Sequence, residues 1–235
     1  MDSLRLMCGI AFRGAFEAVV LPAFERAHGG PIEIEWNPTN LLMKAIDQGG
    51  RADIVIVTDE AIDALETRGL VQPASRTKLA RALLGIAVKR GVAWPDISSP
   101  EAFRRTLLDA RSVAYSQYGA SGLYFAELIR DLGIADQIVP RATIIPSGFT
   151  AERLVTGEAD VAVQQLSELM AIDGADIVGP FPAEYQKETS FSAALFRDCV
   201  HLQAAHAFLR QLRTPEAEHA YLAAGLTPAD RLPSP

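Results

Sequence analysis

The sequence predicts an α/β protein, and three observations carry the prediction. Short apolar runs alternate with amphipathic runs through most of the 235 residues, the pattern of sheets covered by helices. Several of the short runs are unbroken Val and Ile, as strands buried on both faces require. No repeat, low-complexity tract or flexible linker interrupts the alternation.

A strand over residues 5–10 opens the chain and runs into a helix over 14–27. There Phe16, Val19, Val20, Ala23 and Phe24 share one face, and Pro22 is expected to kink the axis. Strand 32–36 precedes helix 41–48, and strand 53–57 precedes helix 60–68. After strand 83–88 comes the strongest start signal in the chain: Ser99 as cap, Pro100 in the first helical position and Glu101 in the first turn of a helix to 108. Strand 112–115 leads to helix 121–132 and strand 143–145 to helix 150–156. Strands 161–163, 176–178 and 192–196 follow. Helices 200–212 and 215–224 close the chain, the second capped at Thr214-Pro215-Glu216 and stopped at Gly225.

Composition narrows the function. A net charge of −7 and a pI near 5.2 argue against a nucleic-acid surface, which needs clustered Lys and Arg. An acidic chain can still bind anions, because backbone dipoles and one or two cations set the field inside a cleft. Two cysteines, Cys8 and Cys199, exclude a disulfide framework and leave one bridge or two buried thiols. Met1-Asp2-Ser3-Leu4-Arg5-Leu6 lacks the basic, apolar and small-residue order of a leader, so the chain as written is expected in the cytoplasm, or in the periplasm where a leader has been removed. No apolar stretch approaches spanning length, so no membrane insertion is expected. His28, His201, His206 and His219 offer no i, i+4 metal pair, and no phosphate-loop or dinucleotide fingerprint occurs; no metal or cofactor is expected.

The most informative segment is Tyr115-Ser116-Gln117-Tyr118-Gly119-Ala120-Ser121-Gly122. Small hydroxyl residues and glycines lie there between a strand run and a helix run. Glycine admits close approach of a ligand, and the N–H groups of the helix start, at the positive end of its dipole, suit a carboxylate or oxyanion. Similar junctions stand at Phe12-Arg13-Gly14, Thr39-Asn40 and Ser147-Gly148-Phe149-Thr150. Together they point to a cleft assembled from helix N-termini.

The order of these motifs resembles type II periplasmic solute-binding proteins of the molybdate-binding-protein-like group. Ala11-Phe12-Arg13-Gly14-Ala15-Phe16, Ala52-Asp53-Ile54-Val55-Ile56, Gly119-Ala120-Ser121-Gly122 and Gly157-Glu158-Ala159-Asp160-Val161-Ala162-Val163-Gln164-Gln165 carry the resemblance, with Thr214-Pro215-Glu216-Ala217 near the end. It implies two lobes joined by crossing strands, residues 1–81 with 191–235 and residues 82–190, that close on a small anion. The crossing candidates are 83–88 and 192–196. Gln164-Gln165-Leu166-Ser167-Glu168 and Pro182-Ala183-Glu184-Tyr185-Gln186-Lys187 look most like a subgroup that contains aconitate isomerase. An ABC transporter permease is an implied partner only if the chain is exported.

Arg13 stands where the molybdate binders place a serine, and a guanidinium suits a carboxylate that it can grip through two parallel N–H bonds. The ligand candidates are therefore Arg13, Thr39, Asn40, Thr58, Ser116, Ser121, Gly122, Gln164, Gln165 and Tyr185. Thr39, Asn40 and Thr58 are also plain helix caps. One of Gln164 and Gln165 faces the ligand by strand alternation. Two functions remain open: a binding protein for a di- or tricarboxylate, and an isomerase moving a double bond by proton abstraction, with Glu168, Lys187 or Tyr118 carrying the proton. Ser121 lacks the setting of a nucleophile.

Overall fold

The computed structural model describes residues 3–231 and divides into two compact units, residues 1–81 with 189–235 and residues 82–188. The chain therefore passes from one unit to the other twice.

In the first unit β1 (Leu4–Gly9) ends in a 3-10 turn, Ile10–Phe12, and enters a continuous helical run of α1 (Arg13–Ala15), a π segment (Phe16–Val20) and α2 (Leu21–His28). Pro22 sits in the first turn of α2, and the irregularity expected at the proline falls one turn before it, as the π segment. There follow β2 (Ile32–Asn37), α3 (Thr39–Asp47), β3 (Ile54–Thr58), α4 (Asp59–Thr67) and β4 (Thr77–Ala82). The second unit holds β5 (Leu84–Lys89), α5 (Pro100–Asp109), β6 (Val113–Ser116), α6 (Ala120–Asp131), α7 (Ala135–Ile138) and β7 (Thr143–Ile145). It continues with α8 (Glu152–Val155), β8 (Val161–Gln165), α9 (Leu166–Met170) and β9 (Ala175–Pro180). The chain returns to the first unit with β10 (Thr189–Leu195), α10 (Leu202–Gln211), α11 (Pro215–Ala223) and β11 (Leu226–Pro228).

The sheets are built to one plan. The first runs β11-β4-β10-β3-β1-β2 and the second β7-β6-β8-β5-β9. In the first, β1 lies parallel between β2 and β3, and β10 pairs antiparallel with β3. In the second, β6 lies parallel between β7 and β8, and β5 pairs antiparallel with β8. Each sheet therefore contains three parallel strands with an antiparallel strand beside them, and the remaining strands lie beyond it. The parallel strands β3 and β8 are buried along their whole length, which their apolar composition anticipates.

Aromatic side chains fix the start of the first helical run. Phe12 meets Phe16, Phe191 and Tyr221 at ring-centroid distances of 5.4–5.6 Å. In the second unit Phe103, Phe125 and Phe181 form the corresponding core beside Leu84, Ile86 and Val163. Both cysteines are free thiols, Cys8 buried on β1 and Cys199 half-buried after β10. No helix among the described residues is long and apolar enough to cross a membrane.

Candidate functional site

In each sheet the chain leaves the central parallel strand for one neighbour and later returns on the other side. Connections that depart in opposite directions leave a crevice at the carboxyl ends of the two strands, where α/β proteins bind ligands. In the second unit these ends are Ser116 on β6 and Gln165 on β8; in the first they are Gly9 on β1 and Thr58 on β3.

Ser116 closes β6, and α6 starts four residues later behind the extended N-cap Gly119. The first turn of α6 lies directly on Ser116. A Cβ at Gly122 would stand 1.7 Å from the Ser116 carbonyl oxygen and 2.6 Å from its Oγ, and one at Gly119 2.4 Å from that Oγ. Gly122 meets backbone, so only glycine fits there, whereas at Gly119 the Ser116 hydroxyl would have to turn aside. Ser116 Oγ is buried there with no hydrogen-bond partner among the described residues, and Ser121 is buried in the same turn. The donors left for an anion are therefore the Ser116 hydroxyl and the first N–H groups of the twelve-residue α6. Gly122→Ala should displace this turn, because backbone cannot yield as a flexible side chain can. We expect a loss of about 3 kcal/mol, read as a lower denaturation midpoint; wild-type stability would contradict the contact.

The two glutamines at the end of β8 have separate tasks. Gln164 Oε1 accepts from the Thr150 N–H at 2.8 Å and lies 3.0 Å from the Thr150 hydroxyl, while Nε2 donates to the Gly148 carbonyl at 3.0 Å. Its amide holds the turn before α8, and its side chain also hydrogen-bonds Glu168. Thr150, which the sequence places at the start of a helix, is drawn into this contact, and α8 begins at Glu152. Gln165, on the opposite strand face, is the N-cap of α9. Its N–H donates to Glu168 Oε2 at 3.3 Å. Glu168 is buried, and burial pushes its carboxyl up to about 8, against the opposing pull of hydrogen bonds from Gln165 and Gln164. At neutral pH it is mostly a protonated acid.

Tyr118 is exposed on the loop between β6 and α6. Tyr185 packs its ring on Phe103 at 5.7 Å and receives the Tyr124 hydroxyl on its carbonyl at 3.0 Å, and Lys187 Nζ lies 5.2 Å from the Tyr124 ring centroid. Residues 185–187 are thereby held to α6, the helix that carries Ser121 and Gly122.

At the carboxyl edge of the first sheet, Arg13 begins α1 and its Nε donates to Glu17 Oε1 at 2.8 Å, an i, i+4 pair with both side chains about half exposed. Such a pair holds its cation weakly. Thr39 and Asn40 are not the cap of α3, contrary to the plain reading of the sequence. Pro38 is the N-cap, and its carbonyl accepts from Leu41 and Leu42. Thr58 does cap α4, with Oγ1 accepting from the Ala61 N–H at 3.4 Å.

A cavity of about 550 Å³ in the second unit is bordered by Lys89, Arg111 and Val161. Lys89 ends β5 and Val161 starts β8, so the cavity lies at the sheet edge opposite Ser116 and Gln165. It is separate from the candidate site. Among the described residues no cluster of three or more His, Cys, Asp or Glu is placed to hold a metal ion.

The family model for the bacterial extracellular solute-binding protein matches residues 4–227. The chain belongs to this family. It is also 34% identical over 220 residues to an aconitate isomerase of a Pseudomonas species, covering 91% of this chain and 84% of that protein. The periplasmic molybdate-binding protein of Azotobacter vinelandii superimposes with a TM-score of 0.79 at 21% identity, over 99% of this chain and 100% of that one. The sulfate-binding protein of Mycobacterium tuberculosis gives 0.72 at 17% identity, over 98% and 88%. At these identities the structural likeness establishes the fold, that of the type II periplasmic binding proteins. Membership of the solute-binding family supports a ligand-binding role for this chain.

Proposed function

We propose that this solute-binding protein takes a small di- or tricarboxylate. The observation that carries the reading is Arg13 at the carboxyl end of β1, engaged by an exposed carboxylate that a ligand carboxylate can replace. A guanidinium matches a planar carboxylate through paired N–H bonds. The α6 start, opened by Gly119 and Gly122, supplies uncharged donors. The relative named an aconitate isomerase favours a carboxylate over a tetrahedral oxyanion.

Thermal-shift and calorimetric titration with citrate, cis- and trans-aconitate, molybdate and sulfate test the reading, since a ligand of the native state raises the melting temperature. Stabilisation by a tricarboxylate is expected, and stabilisation by molybdate or sulfate alone would sink it. Arg13→Ala should weaken tricarboxylate binding by about 2 kcal/mol, roughly thirty-fold in Kd.

One observation favours a second reading, an isomerase. Glu168 is a buried carboxyl in the first turn of α9, next to the carboxyl end of β8, and burial pushes it up to about 8, as suits a group passing a proton in both directions. In an allylic shift, a base takes a proton from the methylene carbon. That C–H pair becomes the new double bond, the old double bond moves into a dienolate, and an acid returns a proton to the former alkene carbon. The α6 N–H groups would stabilise the dienolate. Proton NMR of trans-aconitate incubated with the protein separates the readings: the cis isomer appears with an isomerase and not with a binding protein.

A further inference from the structure

We infer that Gln164 is a positioning residue, whose buried side-chain amide fixes the Ser147–Thr150 turn so that it presents main-chain N–H groups to the bound anion. The inference rests on the ligand-binding reading above and adds a residue that acts only through others. Gln164 is 1% exposed and Thr150 fully buried, so the two contacts between them are shielded from water, while the third, to the half-buried Gly148, is partly so. A buried amide satisfied on both ends is costly to misplace. The turn needs such a clamp because Gly148 has φ 90°, a left-handed conformation that neighbouring strand pairing does not impose.

The clamp also decides which groups face outward. The Thr150 N–H and hydroxyl and the Gly148 carbonyl are turned inward to Gln164. The N–H groups of the exposed Ser147 and half-buried Gly148 donate to no group among the described residues. The turn follows Ile145, which pairs with Ser116, and the Gln117 N–H donates to the Ile145 carbonyl at 2.7 Å. These backbone contacts set the turn beside the start of α6, where the other donors lie, and Gln164 fixes its conformation there.

The test titrates wild type and Gln164→Leu by calorimetry against trans-aconitate, citrate, molybdate and sulfate, with hydrogen exchange followed at Thr150. The expected result is an affinity about tenfold lower or worse in Q164L, with fast exchange at Thr150 and unchanged protection along β8. Silence of the wild type toward all four anions would end the ligand reading and this inference together. A wild type that binds while Q164L binds within about twofold ends this inference alone. Should Q164L not fold, Gln164→Glu decides. Its protonated carboxyl can still accept from Thr150 and donate to Gly148, and its ionised form cannot donate. The ratio of Q164E to Gln164 affinity, measured with Glu168→Gln in both proteins because Gln164 also bonds the Glu168 carboxyl, should therefore be near one at acid pH and fall as pH rises, with the fold intact by circular dichroism. A ratio independent of pH overturns the assignment.

Discussion

Asp53→Ala should lower the melting temperature by about 10 °C, from a loss of about 3 to 5 kcal/mol. The carboxylate is buried at the start of β3 and accepts from the N–H groups of Arg5, Val200 and His201 at 2.9, 3.1 and 3.0 Å. His201 Nδ1 lies 3.0 Å away and Cys199 Sγ 3.4 Å. One side chain thus ties β1, β3 and the lead into α10, and its removal takes away an acceptor that three backbone donors share. Burial alone would raise its pKa. The hydrogen bonds from Arg5, His201 and Cys199 outweigh burial and take it down from 3.8 to about 2. Because the folded value is the lower one, the contribution is complete above pH 4 and is lost as pH falls toward 2. The shift corresponds to about 2 kcal/mol. Acid melts of wild type should therefore steepen between pH 4 and 2 and those of D53A should not. A D53A melt within about 2 °C of wild type, under 1 kcal/mol at this chain length, would show that the clamp carries no stability.

Asp53 also shows where the sequence was legible and where it was not. The caps at Thr58, Ser99 and Thr214 are local events: each hydroxyl accepts from a backbone N–H three residues ahead, and each could be read from spacing. The strands around Ile54 and Val161 could be read because burial on both faces makes their apolar runs continuous. β4 escaped, since Thr-Lys-Leu-Ala-Arg-Ala has neither a continuous nor a clean alternating pattern, and its neighbours β10 and β11 lie more than a hundred residues away in sequence. β11, α7 and α9 are too short for periodicity to show, although Gln165 and Glu168 stand at the spacing of a capping box. The committed role of Gln164 was hidden for a related reason. Strand alternation says that two adjacent glutamines face opposite ways and says nothing of a turn fourteen residues earlier.

Glu168→Gln should separate stability from turnover. In the fold, burial raises the Glu168 carboxyl from 4.5 to about 8, so the unfolded chain gives up this proton at lower pH than the native one. Its contribution is therefore most favourable below pH 4.5 and erodes steadily as pH rises to about 8. Glutamine is the uncharged isostere and can still accept the Gln165 N–H through its carbonyl oxygen. E168Q should thus melt at or above the wild-type temperature near pH 8, with a flatter dependence between pH 5 and 8. If the protein isomerises an aconitate, the same substitution removes a group that can exchange a proton, and turnover should fall by about two to four orders of magnitude. The wild-type rate should climb with pH toward 8 as the ionised base accumulates. A variant that is stabilised at alkaline pH and turns over at the wild-type rate would make Glu168 a buried cap of α9, and would pass the base to Lys187 or Tyr118. Stability lost together with activity would instead show that the carboxyl is needed ionised in the native state, against the direction in which burial drives it.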